Sequence, residues 1–148
     1  MTCKNLILAP HADDEVLGCA AILDKNSFVY ICSIDESKLS VGEIPANVRL
    51  SELKEVAKFL EFQWEYNKES KVNYYDENTF ISIFENLINK LKPEKLFVPF
   101  PDYTQDHRVI YNAAFIALRP HDKNFFVKKA LLYETAHNAI WNPRKMNL

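Results

Sequence analysis

Glycine and cysteine are both scarce in this chain of 148 residues. Only Gly18 and Gly42 are present, so the sequence excludes a dinucleotide site built on a G-x-G-x-x-G loop. The three cysteines, Cys3, Cys19 and Cys32, form no C-x-x-C pair, and each lies in or beside an apolar segment. Their odd number argues against a disulfide framework and favours buried thiols in a reducing compartment. We therefore predict a cytoplasmic protein.

Strong charge of either sign and long hydrophobic runs are also lacking. The formal net charge is −2, which gives no reason to expect attraction to nucleic acid or to an anionic membrane. The N-terminal segment has a single lysine, Lys4, and a short apolar run, so it is predicted to be neither a secretory signal nor a membrane span. The length and a hydrophobic content of 48% fit one globular domain, which we predict to span residues 1–148.

What the chain does contain is an alternation of apolar runs with amphipathic segments. Short apolar or aromatic runs predict strands at residues 5–9, 27–34, 62–66, 95–100 and 128–134. Apolar residues at helical spacing predict helices at residues 15–25, 47–60, 77–91 and 107–118. This alternation predicts an α/β fold, a three-layer sandwich with a mostly parallel sheet and helices on both faces.

Two loops of that predicted sheet concentrate acidic and imidazole groups. Ligands of parallel sheets bind beyond the carboxyl ends of the strands, which singles out the loops after the first and fourth strands. Their chemical groups are His11, Asp13, Asp14, Glu15, Asp102, Asp106 and His107. A single acid at a helix N-terminus needs no further explanation, since it stabilises the helix by about 0.3–1 kcal/mol. Three consecutive acids beside a histidine, opposite a second Asp-His pair, indicate a bound cation instead.

A divalent metal would relieve the repulsion between these carboxylates. Catalytic zinc takes three protein ligands from histidine and carboxylate groups and leaves one position open for water. His11 and Asp14 are three residues apart in a predicted tight turn, and His107 can supply the third ligand. The adjacent Asp13 is then the natural general base for a water molecule.

Several segments of the chain resemble one known family. The stretch "LILAPHADDEVLGC" resembles the "PHPDDE" motif of the LmbE-like, or PIG-L, zinc-dependent N-deacetylases. The stretch "VRLSELKEVAKFLEF" is similar to the family's Arg-x-x-Glu helix, with Arg49 and Glu52 at the two positions. The stretch "PFPDYTQDHR" is similar to its second metal motif, which ends in Asp106 and His107. The order and spacing of these motifs extend the resemblance over nearly the whole chain.

The resemblance implies a Rossmann-like fold and hydrolysis of an N-acetyl group from an acetylglucosamine-type sugar or its conjugate. It implies Zn²⁺ as the metal, although another divalent ion is left open. The implied metal ligands are His11, Asp14 and His107. Asp13 is implied to be the general base, Arg49 a contact to a substrate hydroxyl, and Asp106 a supporting carboxylate near the metal or the acid.

The chain departs from the family pattern at Thr104, where the family has a histidine that stabilises the oxyanion or protonates the leaving amine. A threonine hydroxyl can donate a hydrogen bond, but it cannot act as an acid. Removing one oxyanion donor costs roughly 10²–10³ in rate. His137 follows the last predicted strand and is a candidate to replace the missing imidazole. The chain is also shorter at its C-terminal end than the family usually is, which would fit a fragment or an open site.

Alternatives stay open at this point. Thr104 and the short C-terminal end favour a catalytically degenerate relative that binds a sugar or a metal. A phosphoesterase with two metals would need more ligands than the three assigned. Arg49 can equally pair with Glu52, one turn along the same helix surface. The sequence leaves the sugar, its carrier and the oligomeric state open.

Overall fold

The structure is a computed structural model that describes residues 3–119 and 127–136. Its strands are β1 (Asn5–His11), β2 (Ser27–Ser33), β3 (Gln63–Tyr66), β4 (Lys95–Pro99) and β5 (Lys129–Tyr133). Its helices are α1 (Asp14–Cys19), α2 (Ala46–Leu60), α3 (Glu77–Leu91) and α4 (Gln105–Ala117). Each predicted strand and helix is present, so the predicted α/β fold is confirmed.

The strands form one parallel sheet in the order β3-β2-β1-β4-β5. This is the strand order of a Rossmann-like sheet. The central strand β1 pairs with β2 on one side and β4 on the other, with Asn5 opposite both Ser27 and Lys95. Because all strands are parallel, the loops that follow β1 and β4 meet at the same edge of the sheet.

Apolar side chains cover both faces of this sheet. Leu6 and Leu8 of β1 belong to a core cluster that also contains Phe80 of α3. Ile7 and Ala9 belong to a second cluster, on the opposite face, where α1 and α2 pack. Successive side chains of a strand point to opposite faces, so a continuous apolar run such as "LILA" predicts a strand that is buried on both sides. The result is the predicted three-layer sandwich.

The structure corrects two predicted boundaries near the first loop. β1 continues through Pro10 to His11, because the ladder to β2 skips the proline, which has no N–H, and resumes where His11 pairs with Ser33. The helix predicted for residues 15–25 ends at Cys19, and a 3-10 turn follows over Ala20–Ile22. His11 is therefore placed by the strand itself, which fixes its backbone more firmly than a loop would.

Helix α1 lies unusually close to the edge strand β5. A Cβ atom built at Gly18 would lie 2.2 Å from the Cδ2 atom of the Tyr133 ring, so only glycine allows this approach. The Tyr133 hydroxyl donates a 2.7 Å hydrogen bond to the carbonyl of Leu8, which holds the ring in place. Within the described ranges, no helix is long and apolar enough to cross a membrane.

Candidate metal centre

Three predicted ligands converge at the carboxyl edge of the sheet. His11 ends β1, Asp14 begins α1, and His107 lies in the first turn of α4. Their ligand atoms all lie within 4.8 Å of one another. Across residues 3–119 and 127–136, no second group of three or more such side chains is close enough to hold a metal. These residues therefore form the candidate metal site of the described part of the chain.

The two distances from Asp14 to the imidazoles suit a tetrahedral metal ion. One carboxylate oxygen, Oδ2 of Asp14, lies 3.3 Å from Nδ1 of His11 and 3.3 Å from Nε2 of His107. Zinc–ligand bonds of about 2.0–2.2 Å at tetrahedral angles separate the ligand atoms by about 3.3–3.6 Å. The same Asp14 oxygen accepts a 2.9 Å hydrogen bond from the backbone N–H of His11, which sets its position. The residues present thus fit a divalent cation.

Each imidazole of the triad is oriented by a carboxylate on its far side. Nε2 of His11 lies 2.8 Å from Oδ2 of Asp106, and Nδ1 of His107 lies 2.8 Å from Oδ2 of Asp102. Histidines that bind metals commonly donate their other ring N–H to a carboxylate in this way. The hydrogen bonds favour the tautomers that leave Nδ1 of His11 and Nε2 of His107 free to accept a cation.

The two orienting carboxylates are themselves held by backbone N–H groups. Asp106 is 1% exposed and accepts a 2.8 Å hydrogen bond from the N–H of Asn73. Asp102 is also buried and accepts a 2.7 Å hydrogen bond from the N–H of Thr104. The structure thus places Asp106 behind His11, as a supporting carboxylate. The role of Asp102 was not predicted from the sequence, although an aspartate five residues before a predicted ligand histidine was an available signal.

The charges within the triad are strongly coupled. Burial alone would lower the pKa of His11, but its hydrogen bonds to Asp106 and Asp14 outweigh this effect and raise the pKa from 6.5 to about 9. Burial opposes the ionisation of Asp14, yet hydrogen bonds from His107 and His11 hold its pKa well below the usual range. The pKa of His107 is raised mainly by Asp14, against the effect of burial. A metal ion would therefore replace protons at a site already arranged around positive charge.

Asp13 lies beside the triad but outside it. Its side chain is 47% exposed, and its Oδ2 lies 4.0 Å from Nη1 of Arg49. Burial of part of the carboxyl group raises the pKa of Asp13, and the negative charge of Asp14 adds to the effect, while Arg49 opposes it. The structure therefore separates the two adjacent aspartates, since Asp14 faces the imidazoles and Asp13 is left free to accept a proton.

Arg49 is held mainly by a residue that was not predicted from the sequence. Its Nε donates a 3.0 Å hydrogen bond to Oε1 of Glu36, whereas the predicted partner Glu52 lies 3.7 Å from Nη1. The other carboxylate oxygen of Glu36 accepts a 2.9 Å hydrogen bond from the N–H of Ile44. Glu36 lies in the polar loop after β2, where nothing in the sequence distinguished it from its neighbours.

A cavity of about 330 Å³ opens over the triad. It brings together the predicted site residues His11, Asp13, Asp14, Arg49, Thr104 and His107. Thr135, which follows β5, also lines this cavity and was not predicted from the sequence. The predicted catalytic residue His137 lies outside the described residues. The cavity is therefore lined by several polar side chains, open to small molecules, and adjacent to a carboxylate that can act as a base.

Comparison with solved structures shows where this fold occurs. A deacetylase of the teicoplanin biosynthesis pathway superposes with a TM-score of 0.75 at 17% identity, covering 98% of this chain and 72% of that protein. A conserved protein from Thermus thermophilus gives a TM-score of 0.70 at 21% identity, with 92% and 68% covered. A 4-carboxy-2-hydroxymuconate hydratase from Pseudomonas putida gives 0.66 at 17% identity, with 79% and 55% covered. At such identities the likeness shows a shared fold.

Sequence comparison identifies the family. No curated protein sequence matches the chain significantly. The chain spans between 55% and 72% of the length of the three similar structures. The family model PIG-L, described as GlcNAc-PI de-N-acetylase, matches residues 6–118, which include the whole triad and both loops that form it. Since this match covers well over half of the chain, the protein belongs to the PIG-L family.

Proposed function

We propose that this protein is a metal-dependent N-deacetylase that hydrolyses the N-acetyl group of an acetylglucosamine-type amino sugar or its conjugate. The observation that supports this most is one cavity containing a triad fit for a cation and, beside it, a carboxylate outside the triad. The triad is His11, Asp14 and His107, and the free carboxylate is Asp13. Zn²⁺ is the favoured metal because two imidazoles and one carboxylate are a typical catalytic zinc ligand set.

The chemistry divides between the metal and the chain's own residues. A divalent ion in the triad supplies Lewis acidity, which polarises an amide carbonyl and makes water a better nucleophile. Asp106 and Asp102 hold His11 and His107 in the orientation that binding requires. Their hydrogen bonds also make the imidazoles more basic, and therefore better ligands.

Asp13 transfers a proton from the attacking water to the leaving nitrogen. It accepts a proton from the water that attacks the acetyl carbonyl, so that a C–O bond forms. It returns this proton to the nitrogen as the amide C–N bond breaks, and acetic acid and a free amine leave. The raised pKa of Asp13 suits the first half of this exchange, since a carboxylate of higher pKa is a stronger base. One carboxylate thereby serves as base and then as acid.

Arg49 and Thr104 are proposed to contact the substrate. Glu36 fixes the guanidinium of Arg49 at the wall of the cavity, where Nη1 can donate to a sugar hydroxyl. Thr104 precedes α4 and lines the same cavity, but its side chain does not cap the helix. Its hydroxyl has no hydrogen-bond partner among residues 3–119 and 127–136, so it is available to donate a hydrogen bond to the substrate.

Metal analysis combined with an amine-release assay tests the proposed function. The purified protein is loaded with zinc and offered N-acetylglucosamine, its β-1,4-linked disaccharide and a nucleotide-linked form. We expect about one equivalent of zinc per chain and release of acetate and amine from at least one sugar. The His107→Ala variant should lose both bound zinc and activity. Stoichiometric zinc with no deacetylation of any N-acetylated sugar would contradict the proposal.

A sugar-binding module without catalysis is the second candidate, and the threonine at position 104 favours it. The Thr104→His variant separates the two functions, because it supplies the imidazole that the family pattern has there. An active wild-type protein whose activity is kept or raised in this variant supports the enzyme. A wild-type protein that binds N-acetylglucosamine without turnover, together with an active variant, supports the binding module.

A further inference from the structure

Thr135 has a hydroxyl group with no assigned purpose. The residue follows β5, is only 4% exposed, and lines the cavity over the triad. Among the residues that the structure describes, none forms a hydrogen bond with its side-chain oxygen. A hydroxyl that lines the cavity and that the described part of the chain does not use is available to a ligand.

Thr104 offers a second hydroxyl at the same cavity. It follows β4, and β4 is the neighbour of β5 in the sheet, with Pro99 opposite Tyr133. The backbone N–H of Thr104 is bound by Asp102, which fixes the residue, while its side chain does not cap α4. The two threonines are therefore presented by adjacent strand ends and line one cavity.

The proposed base lies beside the helix that follows β2. Asp13 faces Arg49, which belongs to α2, between β2 and β3. The strand order places β2 and β3 on one side of β1, and β4 and β5 on the other. Water activated by Asp13 would approach an acyl carbon from the β2 side. The acyl oxygen is then free to face the two hydroxyls on the β4 and β5 side.

We propose that Thr135, together with Thr104, donates hydrogen bonds to the acyl oxygen of the substrate and to the negative charge that develops on it. This inference rests on the proposed deacetylase function. A cavity of about 330 Å³ is near the lower limit for small-molecule sites, so the groups that line it lie within reach of one small ligand. Neither hydroxyl gives up its proton, and two weak donors take the place of one imidazole.

The Thr135→Val variant tests the proposal, because valine keeps the shape of threonine and removes the hydroxyl. We expect kcat to fall by about 10–100-fold with little change in KM, since the oxygen gains charge mainly in the transition state. Bound zinc and the thermal midpoint should match those of the wild type. Thr135→Ser should recover most of the loss. A wild-type kcat in Thr135→Val would overturn the proposal, as would a change confined to KM.

A double-mutant cycle with Thr104→Val tests whether the two hydroxyls serve one oxygen. Groups that share a partner give effects that do not add, whereas independent groups give effects that multiply in rate. We expect the fold-loss of kcat in the double variant to differ clearly from the product of the fold-losses in the two single variants. A simple product would overturn the shared role.

Binding of acetate keeps this inference separate from the proposed function. Acetate is the smallest acyl anion suited to this test, and its affinity for the zinc-loaded protein can be measured by calorimetry without turnover. We expect Thr135→Val to weaken acetate binding by about tenfold and Thr135→Ser to restore it. Equal affinity in wild type and Thr135→Val overturns the inference even if the protein is an active deacetylase. If Thr135→Val weakens acetate binding in a protein that has no deacetylase activity, the result supports the inference and contradicts only the proposed deacetylase function. If the thermal midpoint of Thr135→Val is lower than that of the wild type, the Thr135→Ala variant is measured instead.

Discussion

Adjacent residues with the same side chain have different environments in this site. Asp14 is 4% exposed, accepts a hydrogen bond from the backbone N–H of His11 and lies 3.3 Å from a ring nitrogen of each imidazole, whereas the Asp13 side chain is half exposed and faces Arg49. Hydrogen bonds to a carboxylate favour its charged form, and partial burial without them favours the neutral form. The two aspartates therefore have pKa values shifted in opposite directions, which suits one for binding a cation and the other for moving a proton.

The Asp13→Asn variant tests this division of roles. An amide cannot accept the proton of water, so we expect the deacetylation rate to fall by about 10²–10⁴-fold. Zinc content should stay near that of the wild type, because the triad ligands are untouched. Amine release and metal analysis on the same preparation measure both quantities. A variant that instead loses its zinc would make Asp13 a ligand.

Asp102 is expected to act through His107 rather than on the substrate. In Asp102→Asn the side-chain oxygen can still accept from the N–H of Thr104, but the amide nitrogen opposes Nδ1 of His107. Loss of such an orienting carboxylate typically lowers metal affinity by about 10–100-fold. Competition with a chromophoric chelator measures the affinity. Glu52→Gln, which changes an exposed carboxylate to an amide away from the triad, is the control. Unchanged zinc affinity in Asp102→Asn would rule out the positioning role.

Secondary-structure elements were predictable where the hydrophobic pattern was long and regular. The strand β1 and the helix α3 follow directly from their apolar residues, as "LILA" and the stripe through Phe80 and Phe84 show. The predicted end of α1 was wrong by several residues, because the apolar pattern continues past Cys19 whereas the helix ends there and a 3-10 turn follows. The contact of the Tyr133 ring with Gly18 was not predicted either. That contact joins residues far apart in the chain, so no local pattern records it.

The site residues were likewise predictable where local sequence motifs contain them, and not where long-range packing brings them together. Motif residues at strand ends gave His11, Asp14 and His107 as candidate ligands, and the structure brings them together. Glu36 and Thr135 could not be found, because their importance depends on which strands are neighbours in the sheet. The first approaches Arg49 only after β2 and α2 pack, and the second reaches the cavity only because β5 lies beside β4.

Gly18→Ala tests the packing of α1 against β5. Alanine normally stabilises a helix by about 0.5–1 kcal/mol relative to glycine. Here the added Cβ would lie 2.2 Å from the Tyr133 ring, and overpacking of this kind costs about 1–3 kcal/mol. We therefore expect a net loss of stability, measured as a lower urea midpoint.

Gly42→Ala is the control for this prediction. Gly42 has a φ of 81°, but an added Cβ there would meet nothing within 4 Å, so alanine introduces backbone strain without a steric clash. The Gly42→Ala substitution should lower the free energy of unfolding by about 1 kcal/mol. A Gly18→Ala variant that is as stable as the wild type would show that α1 can move away from β5.

The triad connects distant parts of the whole molecule. His11 ends the central strand β1. His107 belongs to α4, which packs on the face of the sheet that contains Leu6 and Leu8. A ligand that binds only the folded state adds its binding free energy to the stability of the fold. Zinc is therefore expected to stabilise the entire domain and not only its loops.

The pH dependence of this stabilisation follows from the imidazoles. In the metal-free protein the pKa of His11 is raised from 6.5 to about 9, so the stability that its protonated form contributes is present below pH 6.5 and is lost as the pH rises through 9. Glu15, whose pKa is raised by burial from 4.5 to about 7, acts in the same direction at lower pH. The change between pH 7 and pH 8.5 therefore comes mainly from the histidine, with smaller contributions in the same direction from Glu15 and from the buried thiols, whose pKa values burial also raises. Zinc requires neutral imidazoles, so its affinity changes in the opposite direction.

We expect the thermal midpoint of the metal-free protein to be lower at pH 8.5 than at pH 7. The difference in thermal midpoint between zinc-loaded and metal-free protein, called the gap below, should widen over the same range. Zinc at about 100 times its dissociation constant adds about 2.7 kcal/mol, which corresponds to a rise of roughly 5–10 °C for a domain of this size. Calorimetry with and without a chelator measures the gap at both pH values. His107→Ala should close it, while the exposed Glu65→Ala on β3 should leave it intact. A gap that narrows at higher pH, or that survives in His107→Ala, would mean that zinc binds somewhere other than the triad.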